Sequence, residues 1–457
     1  MKQTYTISEK LKQLLIIFGP ILLSQLCLFA AQFVNTSMAG HASPTDLAGV
    51  GIGGANWVPF QVGLNGILLA VTPIISKMLG ANEDPEKRLT FALQASYVSL
   101  IMGIIGVLAI QFLLIPNLGL LSAEQDILLV AKQYLYYYSF GQIPLFLFIV
   151  IRCFFDAHGK TFLSMIISAS VLPINILLNY LLVFGNWGMP RLGGAGTGIA
   201  TAVSYWVILI IALIILFKLR IFKIYQPFFY WQKINFSVWK KLFKTGIPIG
   251  LAIFFEISIF SVVTLLINGL PEEIIAAHLS AMNFSGILFM LPLSLASAMT
   301  IVVGFEYGAK RFHDAKIYSQ IGIVLTLIFS LLSAGLLLLF REPIAHMYAD
   351  KAEVEVIALI TQFLIYAAIF QLSDGFQASI QGMLRGYQDV KFALYLTFTS
   401  YWLIGLPVGY YFAKYTTLSA FGYWIGFIVG LTVCSVGMFA RLRRVEKKYI
   451  VEKVQLT

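Results

Sequence analysis

Long apolar runs recur along this chain and constrain its fold more than any other feature. An α-helix needs about 20 predominantly apolar residues to cross the ~30 Å hydrocarbon layer of a bilayer. Because 59% of the 457 residues are hydrophobic and only 11% are charged, the chain holds more apolar residues than one globular core could shield from water. The pattern therefore predicts an all-α polytopic membrane protein with twelve transmembrane helices. The predicted spans are 14–38, 47–76, 90–115, 127–152, 162–184, 194–218, 245–268, 275–305, 317–340, 354–384, 392–413 and 419–440.

Lysine and arginine residues predict the orientation of these spans. With both termini placed in the cytoplasm, all but five of the 31 basic residues fall in cytoplasmic segments, as the positive-inside rule requires. The exceptions are Lys132, Arg191, Arg341, Lys351 and Lys414. The formal net charge of +10 is thus explained by topology, and we expect no nucleic-acid partner because no solvated basic face is predicted.

The chain also contains an internal repeat. Pro20 and Pro248, Thr72 and Thr300, and other pairs are separated by one offset of 228 residues. Each copy holds six spans, so both copies enter the membrane from the same side, and the repeats are predicted to be parallel lobes around a central cavity. The predicted segments are an N-terminal lobe (1–217), a basic cytoplasmic linker (218–244), a C-terminal lobe (245–441) and a cytoplasmic tail (442–457).

Two acidic residues lie in the middle of predicted spans. Glu256 lies in the seventh span and Asp374 in the tenth, each more than ten residues from another charge. A charge at the centre of a membrane helix costs about 2.5–3.5 kcal/mol, so such residues usually face a cavity and serve an ion path. Because two nearby carboxylates repel, a bound Na⁺ or a proton would stabilise the pair. The alternative is a protonated carboxyl that holds helices together by hydrogen bonds.

The first lobe offers amides instead of acids. Asn175 and Asn179 are four residues apart and share one helix face, and Gln32, Asn35 and Gln61 lie in the first two spans. Their oxygens are candidates for binding a cation or a substrate, although packing between helices explains them equally well. In the C-terminal lobe, Phe255 and Phe370 are candidates for stacking on a flat lipophilic cation.

The sequence gives little support for disulfide bonds, a cluster of metal ligands or an enzyme active site. The three cysteines lie in or beside apolar spans, so no disulfide framework is predicted, and the five histidines are too scattered for a metal site. We expect no cofactor and no enzyme activity, and the only metal ion predicted is Na⁺ at Glu256 and Asp374.

The stretches VNTSMAGH (34–41), TGIPIGLAIFFE (245–256) and LSDGFQASIQGMLRGYQDV (372–390) resemble the multidrug and toxic compound extrusion (MATE) family, especially its NorM-like bacterial branch. The resemblance covers nearly the whole chain. It implies two six-helix lobes that export cationic drugs in exchange for Na⁺ or H⁺, with cation-site residues carried over onto Glu256, Asp374, Asn175 and Asn179. This chain departs from the family in one place, because Asn35 stands where many members have an aspartate.

The leading hypothesis is a multidrug antiporter that is driven by Na⁺, with H⁺ as the second choice, and that exports lipophilic cationic drugs and dyes by alternating access. Its predicted setting is the plasma membrane, its partners are the lipid bilayer and the small substrates, and it is expected to act as a monomer. The alternative is a flippase for a lipid-linked precursor. That function would require several basic residues in mid-span to bind a pyrophosphate, and the sequence places no lysine or arginine there.

Overall fold

The computed structural model describes residues 3–120, 124–219, 232–267, 269–348 and 353–456, with side chains as far as residue 449. The described residues form helices and contain no strand. The α-helices are α1 (Ile7–Ala42), α2 (Pro44–Leu68), α3 (Val71–Gly80), α4 (Pro85–Leu108), α5 (Ile115–Asn117), α6 (Gln125–Ser139), α7 (Gln142–Ala157), α8 (Thr161–Leu182), α9 (Gly194–Lys218), α10 (Phe236–Ile267), α11 (Glu272–Gly308), α12 (Phe312–Leu339), α13 (Arg341–Tyr348), α14 (Val354–Gly386), α15 (Val390–Phe398), α16 (Leu406–Tyr415) and α17 (Ala420–Leu456). Short π-helices at Ala109–Leu114 and Thr399–Gly405 join α4 to α5 and α15 to α16.

The predicted membrane spans are confirmed. Within the described residues, eleven helical segments are long and apolar enough to cross a bilayer, and the pair α6 and α7 makes a twelfth if it is one bent span. The bend between α6 and α7 is 47°, and it falls inside the predicted fourth span. Pro144 explains it, because a proline lacks the backbone N–H and clashes with the carbonyl four residues earlier, here that of Phe140.

The chain forms two compact units. The first unit is Gly19–Gly250, and the second unit combines Met1–Phe18 with Leu251–Thr457. The boundaries fall inside α1 and α10, so each of these helices contributes to both units. The lobes predicted from the repeat, 1–217 and 245–441, begin and end at other residues. Of the predicted linker, 218–244, residues 220–231 lie outside the described residues, and 236–244 form the first turns of α10.

Small residues allow the helices of the first unit to approach closely. A Cβ on Gly198 of α9 would lie 2.5 Å from the backbone oxygen of Tyr134 on α6, and one on Gly49 of α2 would lie 2.6 Å from Val130 of α6. Packing of this kind is typical of helices in lipid, where van der Waals contact replaces the hydrophobic effect as the force between helices.

In the second unit, α14 packs against α11 and α12. Gly382 of α14 lies so close to the backbone of Ala296 on α11 that any side chain would collide with it. This close contact fixes the rotation of α14 about its axis. One face of α14 therefore presents small residues to α11, and the adjoining face carries the polar residues described below.

The start of the chain is fixed within the second unit by a buried ion pair. Lys10 is only 1% exposed, and its Nζ lies 3.0 Å from Asp314 Oδ1 on α12. The same ammonium donates a 2.6 Å hydrogen bond to the carbonyl oxygen of Thr4, whose hydroxyl lies 3.0 Å from the Tyr318 hydroxyl. These contacts attach the first turns of α1 to α12.

Candidate functional site

The second unit holds the two mid-span acids on neighbouring helices. Glu256 lies on α10 and Asp374 on α14, and these helices meet where Phe260 packs against Phe370 at 5.9 Å between ring centroids, each ring four residues from its acid. The charge of Glu256 acts on Asp374. Both residues are buried, at 9% and 4% exposure. Asp374 Oδ1 has no hydrogen-bond partner among the described residues, and a buried polar atom of this kind calls for an explanation such as a bound ion.

The polar residues of α14 form a stripe along one face of the helix. The residues at 371, 374, 377, 381 and 385 are spaced by three or four, so they follow one another along that face over about 21 Å. Gln371, Gln377 and Gln381 are all at most 5% exposed. Both amide atoms of Gln371, Oε1 of Gln377 and Nε2 of Gln381 lack a partner with regular hydrogen-bond geometry in the described ranges, and Gln377 lies against the Glu256 carboxylate. We call these five positions the α14 polar stripe.

A π-helix adds a hydroxyl group to the surroundings of the acids. Tyr401, in the π-helix Thr399–Gly405, lies within Coulombic range of both Glu256 and Asp374. Its hydroxyl is buried and has no partner with regular hydrogen-bond geometry in the described part of the chain. π-Helical turns are frequent at functional sites because the extra residue re-aims side chains. Cys434 of α17 also lies within electrostatic range of Glu256.

One basic residue interacts with Glu256, although the sequence places no lysine or arginine in mid-span. Arg385 lies at the end of α14, yet its Nη2 donates a 2.6 Å hydrogen bond to Gln381 Oε1, one turn back along the helix. From there the guanidinium interacts electrostatically with Glu256. A helical side chain points toward the N-terminus of its helix, so an arginine at the C-terminal end of a span reaches inward.

The first unit assembles the predicted amides into one buried network. Asn179 Nδ2 donates to Asn35 Oδ1 at 2.8 Å and to Asn175 Oδ1 at 2.9 Å. Asn35 Nδ2 in turn donates to Thr201 Oγ1 at 3.0 Å and to Gln32 Oε1 at 3.3 Å. Asn35, Asn175 and Asn179 are at most 5% exposed. Oδ1 of Asn179 has no donor among the described residues, which makes it the free oxygen of this network.

The amide network gives a first test. Replacing Asn179 by alanine removes two hydrogen bonds and leaves two buried acceptors without donors. At about 0.6–1.7 kcal/mol for each hydrogen bond between membrane helices, the free energy of unfolding should fall by about 1–3 kcal/mol, measured by denaturation in detergent. Asn56→Ala is the matched control, because the Asn56 amide donates only to the Ile52 carbonyl within its own helix. Equal stability of the two variants would contradict the network.

The remaining candidates have other partners. Gln61 accepts a 2.7 Å hydrogen bond from the Tyr138 hydroxyl in the first unit. In the second unit, the Phe255 ring packs against Phe398 at 4.8 Å between centroids. Phe370 belongs to another aromatic cluster, with Trp424 at 5.8 Å and Phe260 at 5.9 Å. Their assignment to a substrate cavity stays a prediction.

Two lobes of membrane helices with buried ionisable groups in mid-span are typical of polytopic transporters. A search for known families refines this class. The sequence model of the MatE family matches residues 20–181 and 248–411, one match in each repeat. The chain therefore belongs to the MatE family of multidrug and toxic compound extrusion transporters, and it is a transporter rather than an enzyme.

Curated relatives match along the full length. A protein of Bacillus subtilis named "Probable multidrug resistance protein NorM" is 48% identical over 453 residues, which cover 98% of this chain and 99% of that protein. A protein of Bacillus licheniformis with the same name is 47% identical over 450 residues, with the same coverage. The resemblance to the NorM-like branch is thereby confirmed.

Solved structures share the fold at low sequence identity. The crystal structure of the eukaryotic MATE transporter AtDTX14 aligns with a TM-score of 0.86 at 21% identity, covering 97% of this chain and 98% of that chain. A MATE transporter described as a multidrug resistance protein in an outward-facing conformation aligns with a TM-score of 0.87 at 18% identity, covering 98% and 99%. These similarities confirm the predicted fold class.

Proposed function

We propose that this protein is a cation-coupled multidrug antiporter of the plasma membrane, with both termini in the cytoplasm. It exports lipophilic cationic compounds in exchange for Na⁺, and H⁺ is the second candidate for the coupling ion. The observation that carries the proposal is the buried pair Glu256 and Asp374, with a carboxylate oxygen that no described residue satisfies. The names of the Bacillus relatives, which are called probable multidrug resistance proteins, support export of drugs.

The groups around the pair suit a hard cation. Such ions take oxygen ligands, mainly carboxylates, amides and hydroxyls. The second unit supplies buried oxygens of each kind without a partner of regular hydrogen-bond geometry among the described residues: Asp374 Oδ1, Oε1 of Gln371 and of Gln377, and the Tyr401 hydroxyl. This donor set favours Na⁺ over H⁺, since a proton would need only one carboxylate.

The negative charge of the two carboxylates would make the coupling ion and the cationic drug exchange for one another. A coupling ion and a cationic drug would both be stabilised by the same carboxylates, so binding of one opposes binding of the other. One elementary charge moving through 100 mV is worth about 2.3 kcal/mol, but a one-for-one exchange of monovalent cations moves no net charge. The concentration gradient of the ion must then drive export.

Reconstituted protein provides the test. In proteoliposomes, ethidium movement is followed under an imposed Na⁺ gradient with the pH clamped and the voltage held near zero, and then under a proton gradient without Na⁺. We expect Na⁺-driven movement against the drug gradient, absent from protein-free liposomes. Movement under the proton gradient alone would reject Na⁺ as the coupling ion, and no response to either gradient would reject the proposed function.

A further inference from the structure

The two repeats share a short motif of one arginine and one aspartate. An arginine is followed four residues later by an aspartate at the end of α7, Arg152 and Asp156, and at the end of α14, Arg385 and Asp389. In both repeats the arginine side chain turns back into its span. Arg152 donates to Gln25 Oε1 on α1 at 3.2 Å, and Arg385 donates to Gln381 Oε1 at 2.6 Å.

The two arginines differ in how they are neutralised. Arg152 Nε lies 3.6 Å from Asp156 Oδ2, so the first repeat compensates the charge within its own motif. In the second repeat, Asp389 instead accepts a 2.6 Å hydrogen bond from Arg441 on α17. Arg385 therefore has no carboxylate within 4 Å in the described residues. A guanidinium inside a membrane protein costs several kcal/mol without a partner.

The α14 polar stripe leads from this arginine to the acids. Gln381 binds the guanidinium, Gln377 lies one turn further along the same face beside Glu256, and Asp374 follows. Arg385 forms no ion pair with a carboxylate of the described residues. Its guanidinium nevertheless interacts electrostatically with Glu256. The guanidinium is attached to the stripe through one side-chain hydrogen bond, to Gln381.

We propose that Arg385 is a tethered competitor of the transported cation. When the site holds no coupling ion or drug, the guanidinium held on Gln381 offsets the charge of Glu256, and an arriving cation competes with it for that carboxylate. The inference rests on the proposed function and adds a specificity-determining residue to it. A resident positive charge lowers the affinity for the coupling ion, and it keeps the empty carboxylate stable enough for the transporter to complete its cycle.

The competitor can be removed while the acids stay in place. Arg385→Gln keeps a hydrogen-bonding side chain but removes the charge, and Arg385→Lys keeps a charge without the planar guanidinium. We measure the ion concentration that gives half-maximal ethidium export, and binding of ²²Na⁺ to purified protein. Arg444→Gln is the matched control, because Arg444 is an exposed arginine on α17.

The expected result is a shift in ion affinity. Arg385→Gln should bind the ion about tenfold more tightly, which corresponds to about 1.4 kcal/mol, and Arg385→Lys should lie between this variant and the wild type. In a Glu256→Gln background, where export is lost, the same substitution should not change the binding of ²²Na⁺ any further, because the competing charge then has no target. Arg444→Gln should behave as the wild type.

Two results would overturn the inference, and they can be told apart. If the wild type responds to an ion but Arg385→Gln leaves its half-maximal concentration unchanged, Arg385 has a structural role and the proposed function stands. If the wild type responds to neither Na⁺ nor H⁺, the proposed function fails, and this inference fails with it. Should Arg385→Gln not fold, the measured affinity of Arg385→Lys decides between the two roles.

Discussion

Replacing Asp374 by asparagine should abolish ion-driven ethidium export in proteoliposomes while the protein stays folded, and Glu256→Gln should do the same. Each change removes one of two carboxylates and keeps the size and hydrogen-bonding capacity of the side chain. A cation that relied on both charges would lose at least half of the negative charge that stabilises it. Transport of ethidium under the Na⁺ gradient is the measurement, and elution from a sizing column in detergent monitors the fold.

An acid on the surface supplies the control for this experiment. Glu124 precedes α6 and is exposed, so Glu124→Gln should export ethidium at the wild-type rate. Full export by both Asp374→Asn and Glu256→Gln would show that neither carboxylate couples transport to the ion. They would then be protonated groups that hold helices together.

The largest effect on stability is expected from Asp314→Asn. Lys10 is 1% exposed and would keep its charge without the carboxylate that now lies 3.0 Å away. Leaving one member of a buried ion pair uncompensated costs about 3–5 kcal/mol, and we expect the loss here at the lower end of that range, because Asp314 is 28% exposed and Lys10 keeps its hydrogen bond to Thr4. Unfolding in detergent by chemical denaturant should show a loss of this size relative to the wild type.

A second substitution tests the reason for this loss. Lys10→Met removes the uncompensated charge, and an apolar side chain can replace a buried ion at little cost. The double variant that combines Lys10→Met with Asp314→Asn should therefore recover most of the lost stability. Asp126→Asn, which changes an exposed aspartate in α6, should leave the stability unchanged. An additive loss in the double variant would mean that the contact between Lys10 and Asp314 contributes nothing.

The spans were predictable because the thickness of the bilayer fixes their length and composition. The pair Asn175 and Asn179 was predictable as one helix face for a similar reason, since the spacing of four residues is local. The link from Asn179 to Asn35 was not, because it joins residues 144 positions apart. Only packing of α1 against α8 brings those amides together.

The surroundings of the acids were harder to predict. The polar stripe can be found from the sequence by following steps of three and four residues from Asp374, and the inward direction of Arg385 follows from the tilt of helical side chains. The position of Tyr401 near the acids could not be predicted, because the orientation of its side chain depends on a π-helical turn that hydrophobic periodicity does not reveal. The pairing of Asp389 with Arg441, instead of with Arg385 of its own motif, likewise depends on tertiary packing.

The position of residues 1–18 in the second unit bears on any attempt to produce the lobes separately. A fragment that starts after the linker would lack Lys10 and Thr4, so Asp314 and Tyr318 would lose their buried partners. A fragment that ends before the linker would lack the part of α10 in which Gly246 packs on the Ile67 backbone. Two separately produced fragments should therefore assemble only if each compact unit is complete. The C-terminal fragment, for instance, would need the first eighteen residues added as a peptide.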